Sequence, residues 1–228
     1  MQQHVENLEA AIVNRHSVRA FLPDAVDSQT LSNILRLAQH APSNCNAQPW
    51  KLLVVSGAAK ARLQRAFAAA IIAGQQPRPD YGDMPFSHFS GRYRERQVAS
   101  ACELYDKLGI ERNETEKRDL ALLRNYQFFD APHAIILAMD NCFGVPIALD
   151  LGIYLQTLML AMMRYGVSSC PQAALALYPS VLRDELGIDA SRQIVAGLSF
   201  GYEDTAATVN SVRQPRAPLS EVVQFIDG

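Results

Sequence analysis

Three short segments hold the residue types that could do chemistry. In the first, Asn14-Arg-His-Ser-Val-Arg-Ala-Phe21, two guanidiniums bracket a hydroxyl. In an extended chain Arg15, Ser17 and Arg19 point to one face, because side chains alternate with period two. Two donor forks beside an O–H suit a phosphate or another dianion. A solvated basic turn has the same composition. In the second segment, near the other end, Ser211-Val-Arg-Gln-Pro-Arg-Ala-Pro218 carries Arg213 and Arg216 around Pro215. An extended arm docking on a neighbouring surface would read the same way. The third is Ala41-Pro-Ser-Asn-Cys-Asn-Ala-Gln-Pro-Trp50. Its two prolines forbid helix, and it ends on the only tryptophan of the chain. Ser43, Asn44 and Asn46 offer polar groups that neither helix nor sheet would consume.

Other chemistries lack their residues. There is no GxSxG elbow, no HExxH, no GxGxxG turn and no phosphate-loop lysine motif. The five histidines are dispersed, with no metal-pair spacing. Glu203 and Asp204 are adjacent, so on a strand they face opposite sides, and a solvated turn is the expectation. If the chain is an enzyme, a bound cofactor carries the reaction.

Composition narrows the class further. At 228 residues, with 49% apolar and 19% charged, the chain can bury a sizeable core. A net charge of −2 argues against a general affinity for nucleic acid. Cys45, Cys102, Cys142 and Cys170 form no CxxC pair, so neither a disulfide framework nor a zinc site is expected, and a reducing cytoplasm is. The N-terminal residues show no secretory pattern. The most membrane-like stretch, 147–163, is interrupted by Asp150 and Gln156. Its charge-free run is too short to span a bilayer, so it reads as a core or interface helix.

The elements that must position these segments follow from periodicity. Helices are expected over 5–14, 28–40, 58–73, 93–110, 114–129, 145–165 and 178–187, the last closed by Gly187. Strands are expected at 51–56, 133–140, around 166–170 and at 193–204. Residues 74–90 form a long loop of the kind that serves as a lid. The tail from Thr205 is extended. With no β-α-β alternation the class is α+β, a sheet with helices packed over it.

Taken together, RHSVRAF, APSNCNAQPW, GVSSCPQA and RQPRAPLSE resemble, in order and spacing, the FMN-dependent nitroreductase family over essentially the whole chain. PFSHFSGRYRERQ, LYDKLGI and RNYQFFDAP resemble the branch that includes nitroaromatic and nitrobenzoate reductases. The resemblance implies a single domain over 1–228, with 74–130 as a variable lid and helical insertion and 205–228 as a C-terminal arm. It implies a central, mostly antiparallel sheet surrounded by helices, in an intertwined homodimer with two FMN sites between the subunits. By position, Arg15, Ser17 and Arg216 would meet the FMN phosphate and His16 would add ring or backbone contacts. Arg19 would sit by the flavin N1–C2 edge. Pro42, Ser43, Asn44 and Asn46 would come from the other subunit, and Pro171, Gln172 and Ala173 would cover the ring near N5. The family often has a lysine where Gln214 stands, and Arg213 is the substitute at hand. An acidic residue and a glycine are often found where Ala173 and Ala174 stand.

The activity implied is ping-pong electron transfer from NADH or NADPH, through FMN, to a nitroaromatic or quinone-like acceptor, with no obligatory side-chain acid or base. Enone reduction, dehydrogenation, dehalogenation, flavin cleavage and flavin storage are the competing functions on the same fold. Phe86, Phe89, Tyr126, Phe128 and Phe129 are candidates to line the acceptor site, or else plain packing residues. No nucleic-acid or membrane partner is expected.

Overall fold

The computed structural model describes residues 7–82 and 88–227. Phe86, proposed above as a lining residue, lies outside them. The sheet has four strands: β1 (Lys51–Ser56), β2 (His133–Asp140), β3 (Ser168–Gln172) and β4 (Arg192–Gly201). Their spatial order is β1-β2-β4-β3, and every pairing is antiparallel. The two central strands are the two longest, so the sheet is deepest where it is most covered.

β2 reads as an unbroken apolar run, and packing on both faces explains why. Ile135, Leu137 and Met139 point to one side, against α2 (Ser28–Ala38) and α6 (Val145–Arg164). Ala134, Ile136 and Ala138 point to the other, against α3 (Gly57–Ile72) and α7 (Pro179–Leu186). A strand buried on both faces needs no polar alternation. Between Leu137 and Ala138 the register with β4 shifts by one residue, a bulge that bends the strand locally.

Local signals set the helix ends. The Asp27 carboxylate caps α2 by accepting from the Thr30 N–H at 2.9 Å. Asn7 caps α1 (Leu8–Asn14) through the Ala10 N–H at 2.7 Å. Gly187 closes α7 in the left-handed conformation, φ 64°. α4 (Gly91–Lys107) and α5 (Thr115–Leu123) form the helical excursion.

One expected helix is shorter than its periodicity suggested. The pattern over 114–129 predicts a single helix, but α5 ends at Leu123. A 3₁₀ segment, Arg124–Asp130, then carries Phe128, Phe129 and Asp130 at φ 56°, 52° and 65°. Tertiary burial overrides propensity here: Phe128 and Phe129 are buried, and an α-helical backbone could not turn both inward before β2. The tail is likewise not wholly extended, since Thr208–Ser211 and Leu219–Glu221 make single 3₁₀ turns.

Two positions carry clear stability consequences. An added Cβ at Gly197, on β4, would lie 2.3 Å from Leu175 Cδ1 and 2.9 Å from Leu175 Cβ. Gly197→Ala is expected to destabilise the protein by about 2 kcal/mol through overpacking, read as a lower urea midpoint. His133 is buried, accepts the Val26 N–H on Nε2 at 2.9 Å and stacks on Phe200. Burial, helped by the charge of Lys60, holds its pKa below the ordinary 6.5. Below pH 6.5 the unfolded chain therefore takes up a proton that the folded chain refuses. This contribution to stability is complete above that value and is lost as pH falls toward the folded-state pKa. His133→Gln keeps an acceptor but cannot titrate, so its denaturation midpoint should fall less than the wild type's between pH 7 and pH 5.

Candidate functional site

The strip from Arg15 to Leu22 lies along the β3–β4 edge. Ser17 bridges Ser169, the Val18 N–H donates to Ser169 O at 3.1 Å, and the Leu22 N–H donates to Tyr202 O at 2.8 Å. Val18 is buried, so its neighbours Ser17 and Arg19 are turned the other way. The side chain of Asn210 closes the arrangement. It accepts from the Arg19 N–H at 2.7 Å and donates to Ala20 O at 2.8 Å and Asp204 O at 2.9 Å. This 2%-exposed asparagine was not singled out by sequence. Its only signal was a polar residue inside an apolar run, Val209-Asn210-Ser211-Val212.

Arg15, Ser17 and Arg19 all act on the Cys170 thiol. Burial raises its pKa, while the Arg19 charge, a Ser17 hydrogen bond and the Arg15 charge oppose that, leaving it pushed up to about 11. Cys170, 3% exposed, is a packing residue. The ring of His16 is engaged at both nitrogens, with Asn14 O at 2.9 Å and Glu203 Oε1 at 3.1 Å. The expectation of a solvated Glu203-Asp204 turn is therefore corrected: Glu203 is a partly buried partner of His16.

Beside this strip is a cavity of about 450 Å³. Leu104 of α4, Leu108 just after it, Leu122 of α5, Phe129, Cys170 and Pro171 give it apolar walls, and Arg19, Arg124 and Asn125 add polar groups. Among the described residues no carboxylate lines it. Arg124 is paired with Asp130 at 2.9 Å, whereas the Arg19 guanidinium meets only the Ser17 carbonyl, at 3.2 Å, among the described residues. The site therefore holds a cation with no counter-charge beside an apolar slot.

Of the 171–173 segment, Pro171 lines the cavity. The Gln172 side chain turns inward instead, donating to Asn125 O at 2.9 Å and Asn125 Oδ1 at 3.2 Å and accepting from the Ser199 hydroxyl. Ala173 is exposed and begins a 3₁₀ turn. Tyr126 and Phe128 are core residues against Phe67, with centroids at 5.2 and 6.3 Å, leaving Phe129 as the one of that group that faces the cavity. Phe89 is 38% exposed and does not line it.

The tail arginines stand at different distances from the strip. Arg213 donates to Asn210 O at 2.6 Å and Val212 O at 2.9 Å, and so shares Asn210 with Arg19. Arg216 is exposed and touches the carbonyls of Gln214 at 2.8 Å and Pro215 at 3.3 Å. Gln214 anchors the arm to α4 through Glu103 at 2.7 Å.

Pro42, Ser43, Asn44 and Asn46 do not join the strip, and none of them lines the cavity. Their connector packs on α6. The Asn44 N–H donates to Asp150 Oδ2 at 3.0 Å, and Ser43 Oγ accepts the Gln48 N–H at 2.9 Å. Trp50 stacks on Tyr154 at 4.6 Å and donates to Gln39 Oε1 at 3.2 Å. Cys45, Asn46 and Gln48 are left-handed, with φ 51°, 55° and 47°. Asparagine tolerates that region, while Cys45 and Gln48 carry strain of roughly 1–3 kcal/mol each.

The sheet, the strip and the cavity together define a helix-covered α+β domain with an arginine-bearing edge beside an apolar slot. Residues 12–202 match the model of the Nitroreductase family, and the chain belongs to that family. It is 43% identical over 219 residues to Nitroreductase NfnB of Mycolicibacterium smegmatis, covering 95% of this chain and 92% of the relative. It is 37% identical over 225 residues to a 4-nitrobenzoate reductase of Pseudomonas putida, covering 97% and 96%. The crystal structure of the FMN-dependent nitroreductase NfnB from Mycobacterium smegmatis in complex with NADPH superposes with a TM-score of 0.91, covering 96% of this chain and 97% of that one.

Asn210→Ala would orphan the Arg19 N–H and remove a partner from two carbonyls. A loss of about 2 kcal/mol in unfolding free energy is expected, measured by urea denaturation.

Proposed function

We propose that this chain is an FMN-dependent, NAD(P)H-consuming nitroreductase. The observation that carries the reading is the Arg15-Ser17-Arg19 strip held along the sheet edge beside an apolar cavity that Arg19 itself lines. The chain's likeness to relatives named as nitroreductases supports it. The residues present suit the cofactor. The apolar walls and proline floor fit a flat ring, and the unpaired Arg19 charge fits an electron-accepting edge.

When bound, FMN would supply two-electron transfer between a nicotinamide donor and an electron-poor aromatic acceptor. The chain's own residues bind, orient and exclude water. Arg15 and Ser17 would hold the phosphate, with Arg216 as a third cation for it. Arg213 is spent on the Asn210 and Val212 carbonyls and supports the strip rather than the phosphate. Arg19, fixed through Asn210, would set a positive charge beside the ring, and such a charge favours the reduced state. Leu104, Leu108, Leu122 and Phe129 keep the slot dry. The acceptors proposed are nitroaromatics and quinones, with NADPH or NADH as donor.

The same reading makes the working unit a homodimer. Leu8, Ile12 and Val13 of α1, Val145 and Leu149 of α6, and Leu219, Val222, Phe225 and Ile226 of the arm expose large apolar surface. A second copy covering those faces would bring its Pro42–Asn46 connector to the cavity of the first, which supplies the residues missing from a single subunit.

The purified protein should be yellow, bleach anaerobically with a nicotinamide donor and recover its colour with a nitroaromatic. Yellow protein that no nicotinamide bleaches would overturn the reductase reading, and colourless protein that takes up no FMN would overturn the cofactor. Arg216→Ala should weaken FMN binding about thirtyfold, as expected for losing a charge-assisted phosphate contact, measured by flavin fluorescence. Unchanged affinity would remove Arg216 from the site.

A further inference from the structure

Asp150 is the only charged side chain between Val145 and Met163 of α6. It is 5% exposed, and among the described residues no lysine, arginine or histidine pairs with it. A buried carboxylate without a cation is costly, and an apolar side chain would pack there more favourably. Its partner is the Asn44 N–H, at 3.0 Å on Oδ2. That amide opens the turn in which Cys45, Asn46 and Gln48 take left-handed conformations. One helical turn further on, Tyr154 lies under the Trp50 ring, where the connector ends. α6 therefore grips the connector at both ends, by a hydrogen bond at Asn44 and by ring stacking at Trp50.

We infer that Asp150 is a positioning residue. It fixes the main chain of Pro42–Asn46 in the shape offered to the flavin, without touching the reacting atoms itself. A carboxylate is suited to this because it accepts a backbone N–H strongly and offers no donor of its own to a competing partner. The inference rests on the flavin reading above for the connector's purpose, though not for its geometry. It also gives α6 two duties. Val145 and Leu149 present apolar surface outward while Asp150 and Tyr154 hold the connector inward. A change on the outer face thereby has a route to the cofactor loop.

The test compares Asp150→Ala, which removes the acceptor and suits a helix, with Asp150→Asn, which keeps a carbonyl oxygen of the same reach. Three quantities are read: FMN affinity by flavin fluorescence, amide hydrogen exchange of the 41–50 segment, and thermal unfolding. The alanine variant should lose about tenfold in FMN affinity. It should also exchange faster over 41–50 while β2 and β4 keep wild-type protection. The asparagine variant should stay within about threefold of wild type on affinity. An alanine variant that melts earlier yet keeps wild-type affinity and exchange would overturn the inference, leaving Asp150 a structural residue only. So would an asparagine variant as impaired as alanine. Should alanine not fold, faster exchange over 41–50 in the asparagine variant overturns the inference and wild-type exchange and affinity support it. If the wild-type protein takes up no FMN, the cofactor reading falls. The exchange comparison on the flavin-free protein then still decides whether Asp150 fixes the connector.

Discussion

Between Val18 and Leu22 the chain is sewn to the sheet edge by three main-chain bonds and by the two ends of the Asn210 amide. The Val18 N–H meets Ser169, the Leu22 N–H meets Tyr202, and the Asp204 N–H returns to Ala20 at 3.1 Å. Asn210 fills the gap between them, accepting at Arg19 and donating at Ala20 and Asp204. This seam decides where the guanidiniums point. A strand register is set in steps of one residue, and a slip of one would turn Arg15, Ser17 and Arg19 inward and Val18 outward. Burying Val18 makes that slip expensive, so a hydrophobic contact fixes the direction of a cationic array.

The seam is only as firm as the strands beneath it. β4 sits between β2 and β3, and its glycines Gly197 and Gly201 allow close approach on one face of the sheet. Leu175 crosses over Gly197, and Pro132 lies over Gly201. Those contacts bring the segment before β2 and the segment after β3 against the same strand. The cavity wall at Phe129 comes from the first of these segments, and the floor at Cys170–Pro171 from β3 itself. The Gln172 side chain then ties them to each other through Asn125.

Two connectors hold non-glycine residues in left-handed backbone. Phe128, Phe129 and Asp130 precede β2, while Cys45, Asn46 and Gln48 precede β1. Such conformations persist only where surroundings over-determine them. For the first, Phe128 is locked under Phe67 and Asp130 is paired with Arg124. For the second, Asp150, Ser43 and the Trp50–Tyr154 stack share the task. Rigid supports of this kind let a loop present polar groups without paying for their ordering at the moment of binding.

Much of this was legible in the sequence. Periodicity located seven helices and four strands, because apolar spacing directly reflects which face is buried. The α+β class followed from their order. The Arg15-Ser17-Arg19 triplet was readable because period-two alternation is a property of any extended segment. What the sequence could not supply was every relation between residues distant along the chain. Nothing local paired His16 with Glu203, set Asn210 behind Arg19, spent the Gln172 amide on Asn125 and Ser199, or stopped α5 at Leu123. Each depends on which surfaces meet once the sheet has formed, and the free energy of those meetings outweighs local preference by residue-scale amounts. The sequence by itself determined the elements and the chemical types available to them. Tertiary structure alone decided which of those types face the cavity, which are consumed inside, and which buried carboxylate holds the connector, because burial and hydrogen bonding at a point in space have no signature in the neighbours along the chain.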